Sequence, residues 1–281
     1  MNSLNNGLIL INKPKDITSR DVVNKISKIY GTKKVGHSGT LDPLATGVLV
    51  ITLNRYTKLN EILASKEKEY IAEVTLGIKT DTLDITGKIL EEKEEKIDKE
   101  SLLKVLKSFE KTYDQKVPLY SAVKIDGKKL YEYARKGEKV DVPTKTVTIK
   151  KIELLEFKEN KFTFKALVTK GTYIRSLIND ILKELNVIGT MSNLQRTKQG
   201  IFKIEDCLNL EEITKDTKLL KIKDVLDISS MQTNEKEKIL NGAKLTGNYP
   251  NKVLFLDGNE ELAIYKKDGN VMKIEVLLKI K

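Results

Sequence analysis

The 281-residue chain has one cysteine, one histidine, five prolines and no tryptophan. With Cys207 alone, an intramolecular disulfide is excluded, and so is a cysteine-built metal cluster. A single imidazole, His37, cannot supply the ligand set of a zinc or di-metal site; carboxylates alone are left for a hard ion such as Mg²⁺. No run approaches the roughly 20 apolar residues that cross a bilayer. The start, Met1-Asn2-Ser3-Leu4-Asn5-Asn6, has neither the basic residues nor the apolar stretch of an export signal. The expectation is a cytoplasmic protein without a zinc or di-metal site.

What is abundant is positive charge. Lys and Arg number 51 against 40 Asp and Glu, a net charge of +11. The excess is spread along the chain, as in proteins that bind a polyanion such as nucleic acid; a solvated Lys-rich surface is the alternative. The 40% hydrophobic content suffices for one large domain, or a main domain with a small one.

Periodicity orders the elements. Gly7 to Ile11 is a short buried strand, and Thr18 or Ser19 caps a helix with the stripe Val22, Val23, Ile26, Ile29, ending at Gly31. Val48 to Leu53 is a core strand, and Thr57 is placed to cap a helix through Leu63. Tyr70, Ala72, Val74 and Leu76 alternate as a strand face. Glu91 to Lys96 reads as a solvated loop, and Asp98 caps the next helix. Strands follow over 147–154 and 161–169, a helix after Gly171-Thr172, and a strand pair over 193–204. Beyond about residue 225, short alternating runs broken at Asp257-Gly258 and Asp268-Gly269 signal hairpins. No internal repeat stands out. Strands mixed with helices, without regular βαβ alternation, give an α+β chain dominated by antiparallel pairing.

Four features carry chemistry. Asp42 is the one carboxylate in the glycine-rich loop Gly36 to Gly47, either a turn residue or a nucleophile or base. Neither a paired carboxylate nor a Ser or Cys partner for His37 is written beside it. Arg175 falls in the first turn of a helix, where the dipole disfavours a cation, so a carboxylate, a phosphate or a surface ion pair accounts for it. Tyr70 is a core or edge residue, or a ring on which a base stacks. Lys124, Lys128, Lys129, Arg135 and Lys136, interleaved with Tyr120, Tyr131 and Tyr133, form a nucleic-acid-like patch or a solvated helix face.

The segment Gly36-His37-Ser38-Gly39-Thr40-Leu41-Asp42-Pro43-Leu44-Ala45-Thr46-Gly47 closely resembles the signature of bacterial tRNA pseudouridine-55 synthases, the TruB family. Leu10 to Pro14, Lys68-Glu69-Tyr70, Thr80 to Asp84, Pro118 to Lys124, Gly127 with Leu130 to Arg135, Lys170 to Arg175, and Leu194-Gln195-Arg196-Thr197 match it in the same order, over about residues 7 to 200. Ser38 and Asn12 are mild variants.

The resemblance implies a pseudouridine synthase domain over 1–225, built on a mixed, mostly antiparallel central sheet with flanking helices, and a tRNA-gripping insertion near 115–145. It also implies a small PUA-like RNA-binding domain over 226–281, although the match weakens after about residue 205. The implied activity isomerises uridine 55 of the tRNA T-arm, as a monomer, with no cofactor, metal or obligatory protein partner. Asp42 matches the catalytic aspartate and Arg175 the arginine that pairs with it. Tyr70 matches the tyrosine that stacks on the flipped base. His37, Tyr173 and Leu194 match RNA-contacting positions, and Lys13 and Pro14 a motif that supports the active-site loop. An inactive RNA-binding protein on the same fold and a guide-RNA-directed synthase are the competing readings.

Overall fold

The structure is a computed structural model that describes residues 6–64 and 67–279. It opens with the buried strand β1 (Gly7–Lys13). Helix α1 (Ser19–Tyr30) starts at Thr18, which forms a reciprocal capping box with Asp21, and ends at a left-handed Gly31. Strand β2 (Val35–His37) pairs antiparallel with β3 (Thr46–Leu53), and the Asp42 loop is the connection between them. The helix expected from Thr57 takes another form. Asn54–Leu59 is a 3-10 turn in which the Thr57 hydroxyl donates to the Asn54 carbonyl at 2.8 Å, and only α2 (Asn60–Leu63) is α-helical. A hydroxyl that bonds a local carbonyl is not available to cap.

Strand β4 (Glu67–Leu76) is followed by the ribbon of β5 (Ile78–Thr80) and β6 (Ile89–Glu92). The ribbon takes up part of the expected charged loop: Glu91 and Glu92 pair across it with Lys79 and Ile78. Asp98 caps α3 (Lys99–Ser108) by accepting from the Ser101 amide at 2.8 Å. Strand β7 (Thr112–Lys116) then precedes a compact excursion made of β8 (Lys124–Ile125), β9 (Lys128–Lys129) and α4 (Leu130–Lys136). The chain returns as the long β10 (Thr144–Lys158), which pairs with β7, and continues into β11 (Lys161–Thr169). Helix α5 (Ile174–Glu184), β12 (Gly189–Gln199), β13 (Phe202–Lys203) and β14 (Leu208–Asn209) follow. The last stretch comprises α6 (Ile222–Val225), β15 (Ser229–Gln232), α7 (Lys236–Leu240), β16 (Lys252–Asp257), β17 (Glu260–Asp268) and β18 (Val271–Leu277).

The main sheet is mixed, in the order β14-β1-β3-β12-β4-β11-β10-β7, with β2 on β3 and β13 on β12. The β1–β14 and β3–β12 pairs are parallel, whereas β12–β4, β4–β11, β11–β10 and β10–β7 are antiparallel. A second sheet runs β15-β16-β17-β18, its hairpins turning at Asp257-Gly258 and Asp268-Gly269 as expected. Among the described residues no helix is long and apolar enough to cross a membrane.

The chain divides into two compact units. The first takes in residues up to 43, 48–64 and from 205 onward; the second takes in 44–47 and 65–204. Within the first unit, the fully buried Tyr56 hydroxyl donates to the Glu261 carboxylate and accepts from the Ile222 amide at 2.9 Å. Glu261 also accepts from the Lys223 amide at 3.0 Å, so the β15–β18 sheet is bonded to the 3-10 turn after β3. That sheet has its own core of Ile239, Leu245, Val253, Phe255, Leu262 and Tyr265.

In the second unit, one face of β4, β11 and β12 is apolar: Val74, Ala72, Phe162, Phe164, Ala166 and Met191 are all buried. Thr46 and Gly47, which start β3, pair here with Gln195 and Arg196. Gly47 has φ 103°, and a Cβ at that position would collide with the Arg196 carbonyl oxygen. Both the left-handed conformation and the close approach require glycine. Gly47→Ala is therefore expected to destabilise the protein by at least ~2 kcal/mol, read as a lower denaturant midpoint at unchanged slope. An unchanged midpoint would show that the strand pair tolerates a side chain there.

Candidate active site

In the first unit the loop that carries Asp42 is tied down from the inside. Lys13, the last residue of β1, is fully buried. Its ammonium donates to three carbonyls: Ile17 at 2.7 Å, Pro14 at 2.8 Å and Pro43 at 3.2 Å. Buried charge is tolerated when its hydrogen bonds are filled, and three donors meeting three acceptors meet that condition. The Asp16 amide donates to the same Pro43 carbonyl at 2.9 Å. On the other side of Asp42, the Leu41 amide donates to the buried Ser19 hydroxyl at 2.9 Å, and that hydroxyl lies 3.1 Å from the Leu41 carbonyl. The residues before and after Asp42 are thus both anchored, while Asp42 itself is half-buried. His37 ends β2, and its Nδ1 accepts from the Gly39 amide at 3.3 Å. The imidazole shapes the loop's first turn.

In the second unit, strand register gathers several of the sequence candidates. Tyr70 on β4 lies opposite Arg196 on β12, and Arg196 in turn lies opposite Gly47 at the start of β3. Leu194, one step along the same face of β12, is opposite Ala72. Tyr70 is only 7% exposed, which places its ring within the sheet face. Gly47 follows Asp42 by five residues, so the chain that leaves the catalytic candidate enters the sheet beside Arg196.

Arg175 is in the first turn of α5, as the sequence predicts, and is buried. Its guanidinium donates to the Thr82 carbonyl at 2.9 Å and to the Tyr120 carbonyl at 3.0 Å, with Asp84 at 3.9 Å. Asp84 is a buried carboxylate that also accepts from the Thr86 hydroxyl at 2.6 Å and the Thr86 amide at 3.0 Å. The Tyr120 hydroxyl donates to Asp81 at 3.0 Å, a bond that raises its pKa. Arg175 therefore joins the Thr80–Asp84 turn to the chain entering the β8–α4 excursion. Carboxylate and carbonyls around it supply what the helix dipole denies a cation. Tyr173, the residue before α5, is positioned by its amide, which donates to Gln115 on β7 at 2.8 Å.

The basic patch is a real cluster. Lys124 pairs with Lys129 across β8–β9. Lys128 Nζ lies 4.2 Å from the Tyr133 ring centroid, and Lys129 and Arg135 lie 5.3 and 5.4 Å from that of Tyr131. These cations are half-buried or exposed, and stacking on the rings holds their heads in place. Asp42 and His37 belong to the first unit; Tyr70, Tyr173, Arg175, Leu194 and the patch belong to the second.

Reasoning from sequence passed over Lys68, Asp84 and Arg196, although each lies inside a motif noted there. Lys68 is on the buried face of β4 at 8% exposure, and Arg196 is fully buried. Burial pushes the Lys68 ammonium down to about 8, helped by Arg196 and Lys170. The signal was a lysine at the inward phase of an alternating strand.

A family model described as "TruB family pseudouridylate synthase (N terminal domain)" matches residues 27–174. A protein named tRNA pseudouridine synthase B from Fusobacterium nucleatum is 49% identical over 199 residues, 71% of this chain and 69% of that protein. One of the same name from Mesoplasma florum is 38% identical over 275 residues, 95% and 96% of the two chains. Among solved structures, an H/ACA RNP bound to a substrate RNA containing 2'-deoxyuridine superposes with a TM-score of 0.70 at 24% identity, covering 97% of this chain and 85% of that one. At that identity the likeness is one of fold.

The depressed Lys68 value has a thermodynamic consequence. Between about pH 8 and the ordinary lysine value of 10.5 the unfolded chain holds the extra proton, so stability rises with pH across that window. Relative to Lys68→Met, the wild type is expected to gain on the order of 3 kcal/mol between pH 7.5 and pH 10.5, measured by denaturant unfolding at both pH values. Parallel stability curves for the two proteins would mean that Lys68 is not desolvated.

Proposed function

The chain belongs to the TruB family of pseudouridylate synthases, and from that premise we propose that it converts uridine 55 in the T-arm of tRNA to pseudouridine, with Asp42 as the catalytic nucleophile. The reaction is an isomerisation. The bond from the sugar C1' to N1 breaks, the base turns, and C1' joins C5; the proton leaves C5, one is gained at N1, and the carboxylate is regenerated. The target nucleotide is stacked inside a folded loop and must be flipped out to be reached.

The observation that carries this reading is the anchored Asp42 loop. Lys13, Asp16 and Ser19 fix the backbone on both sides of one half-buried carboxylate. A reacting group held by its surroundings needs little reorganisation in the transition state. Tyr70 serves as the stacking surface for the base, and Arg175 as the cation that favours an ionised carboxylate during the reaction. His37, Tyr173 and Leu194 contact the RNA. Lys124, Lys128, Lys129 and Arg135 on the excursion meet phosphates, with residues 226–281 as a small PUA-like RNA-binding domain. The protein acts in the cytoplasm as a monomer, without cofactor or partner protein.

Purified protein with an unmodified tRNA transcript tests the reading. Pseudouridine at position 55 is expected with the wild type alone; conversion that needs a guide RNA or partner would overturn the stand-alone assignment. Asp42→Asn is expected to lower the rate by at least about 10⁴-fold with tRNA affinity nearly unchanged. A variant that still turns over normally would remove Asp42 from the mechanism. Replacing Lys124, Lys128 and Lys129 together by Gln is expected to lessen the slope of log affinity against log salt by about 2 to 3. An unaltered slope would place the phosphate footprint elsewhere.

A further inference from the structure

Strand β7 carries polar side chains where its alternation turns inward. Tyr113 and Gln115 are on its inner face, between the exposed Thr112, Asp114 and Lys116. Gln115 is 1% exposed, and Tyr113 packs edge-on against Phe109 with ring centroids 5.8 Å apart. A leucine would fill the place of Gln115 with no polar atoms to satisfy; only an amide supplies directed bonds at both ends. One end accepts from the Tyr173 amide at 2.8 Å, and the other donates to the Tyr113 hydroxyl at 2.8 Å. The order of these bonds is fixed. A backbone N–H can only donate, so the Gln115 oxygen faces Tyr173 and its nitrogen faces Tyr113. The Tyr113 oxygen accepts, and its hydrogen is directed to the Asp180 carboxylate at 3.4 Å. Burial pushes the Tyr113 phenol up, so this donor stays protonated.

Both ends of this relay fall on α5. Tyr173 is the residue before the first turn, and Asp180 lies seven residues on. That is two turns along the same helix face, about 10 Å away. The relay therefore holds the helix at its start and at its middle, which sets its position along its axis as well as its rotation. The Tyr173 side chain does not cap the helix. Its peptide groups are instead held on both sides: the amide by Gln115, and the carbonyl by the Leu177 amide at 3.0 Å. Arg175 follows two residues later, and its guanidinium reaches the Tyr120 carbonyl at 3.0 Å. Gln115 and Tyr120 belong to one stretch of chain, which leaves β7 for the β8–α4 excursion. That stretch holds the start of α5 at two points.

We propose that Gln115 is a positioning residue for the isomerisation: its amide locks the start of α5 against the strand that enters the excursion, and so places Tyr173 and Arg175 for the flipped nucleotide. The assignment rests on the RNA-modifying function proposed above. Gln115 meets no substrate; it acts through the Tyr173 backbone. The excursion brings the cations that grip RNA, and the start of α5 brings two side chains that act at the target nucleotide. The Gln115 amide joins them by directed hydrogen bonds. A helix start displaced by about 1 Å would leave binding nearly intact and slow the reaction.

The test uses the full-length protein and a T-arm stem-loop RNA, with affinity and the single-turnover rate at saturating protein measured separately. Gln115→Met keeps the bulk and removes both bonds. Its saturated rate is expected to fall about a hundredfold, with affinity nearly unchanged. Gln115→Glu keeps an oxygen facing the Tyr173 amide and is expected to recover most of that rate. Loss of a merely structural contact would lower the denaturant midpoint and leave the saturated rate of the folded protein as it was. Tyr113→Phe does not depend on the Met variant folding: it leaves Gln115 in place and removes only the hydroxyl that orients the amide, and its saturated rate is expected to fall by a smaller factor. A wild-type saturated rate in folded Gln115→Met or in Tyr113→Phe, or equal losses in Gln115→Glu and Gln115→Met, would overturn the proposal. Failure of the wild type itself to form pseudouridine would instead sink the parent reading, since every variant is scored against an active wild type.

Discussion

The short parallel pairing of Thr46–Gly47 with Gln195–Arg196 is the constraint on which the second unit's polar face depends. It requires a backbone approach that no side chain permits at Gly47. Through it Thr46 and Gly47 join the strand set that holds Arg196, Tyr70 and Leu194. A side chain at position 47 would press on the Arg196 carbonyl, and the register of β12 against β4 orders everything beyond it.

Around that constraint, buried charge is handled in three ways. Lys13 is satisfied completely by carbonyls, and its role is to hold chain. Arg175 is satisfied by two carbonyls and a nearby carboxylate, and so joins two segments that are far apart in sequence. Lys68 is desolvated on the inward face of β4, and that burial, with Arg196 and Lys170 adding to it, lowers its pKa. The first two arrangements stabilise the folded protein as it stands. The third costs folding stability wherever the ammonium stays charged.

Much of the fold was legible because the local signals agreed with one another. The Thr18 and Asp98 caps, the helix placing Arg175 in its first turn, the inward row through Tyr70, and the hairpins at Asp257-Gly258 and Asp268-Gly269 all follow from periodicity and turn chemistry. The failures arose where a polar side chain had more than one local partner. Thr57 bonds back to Asn54 instead of capping, and Glu91, though still exposed, pairs with Lys79 in a ribbon instead of lying in a loop. Propensity does not choose between such partners; the surrounding packing does.

By itself the sequence determined which chemistry is possible. The basic excess, the single carboxylate in a loop of glycines and the ordered motifs point to an enzyme acting on RNA, while one cysteine and one histidine limit the reactive groups at hand. Only the tertiary structure decided what each buried cation does. Lys13, Lys68, Arg175 and Arg196 are alike as letters, and each lies inside a motif. Their roles separate only when distant carbonyls, carboxylates and strands are brought up against them, since the energy of a buried charge is set by neighbours that local sequence does not name.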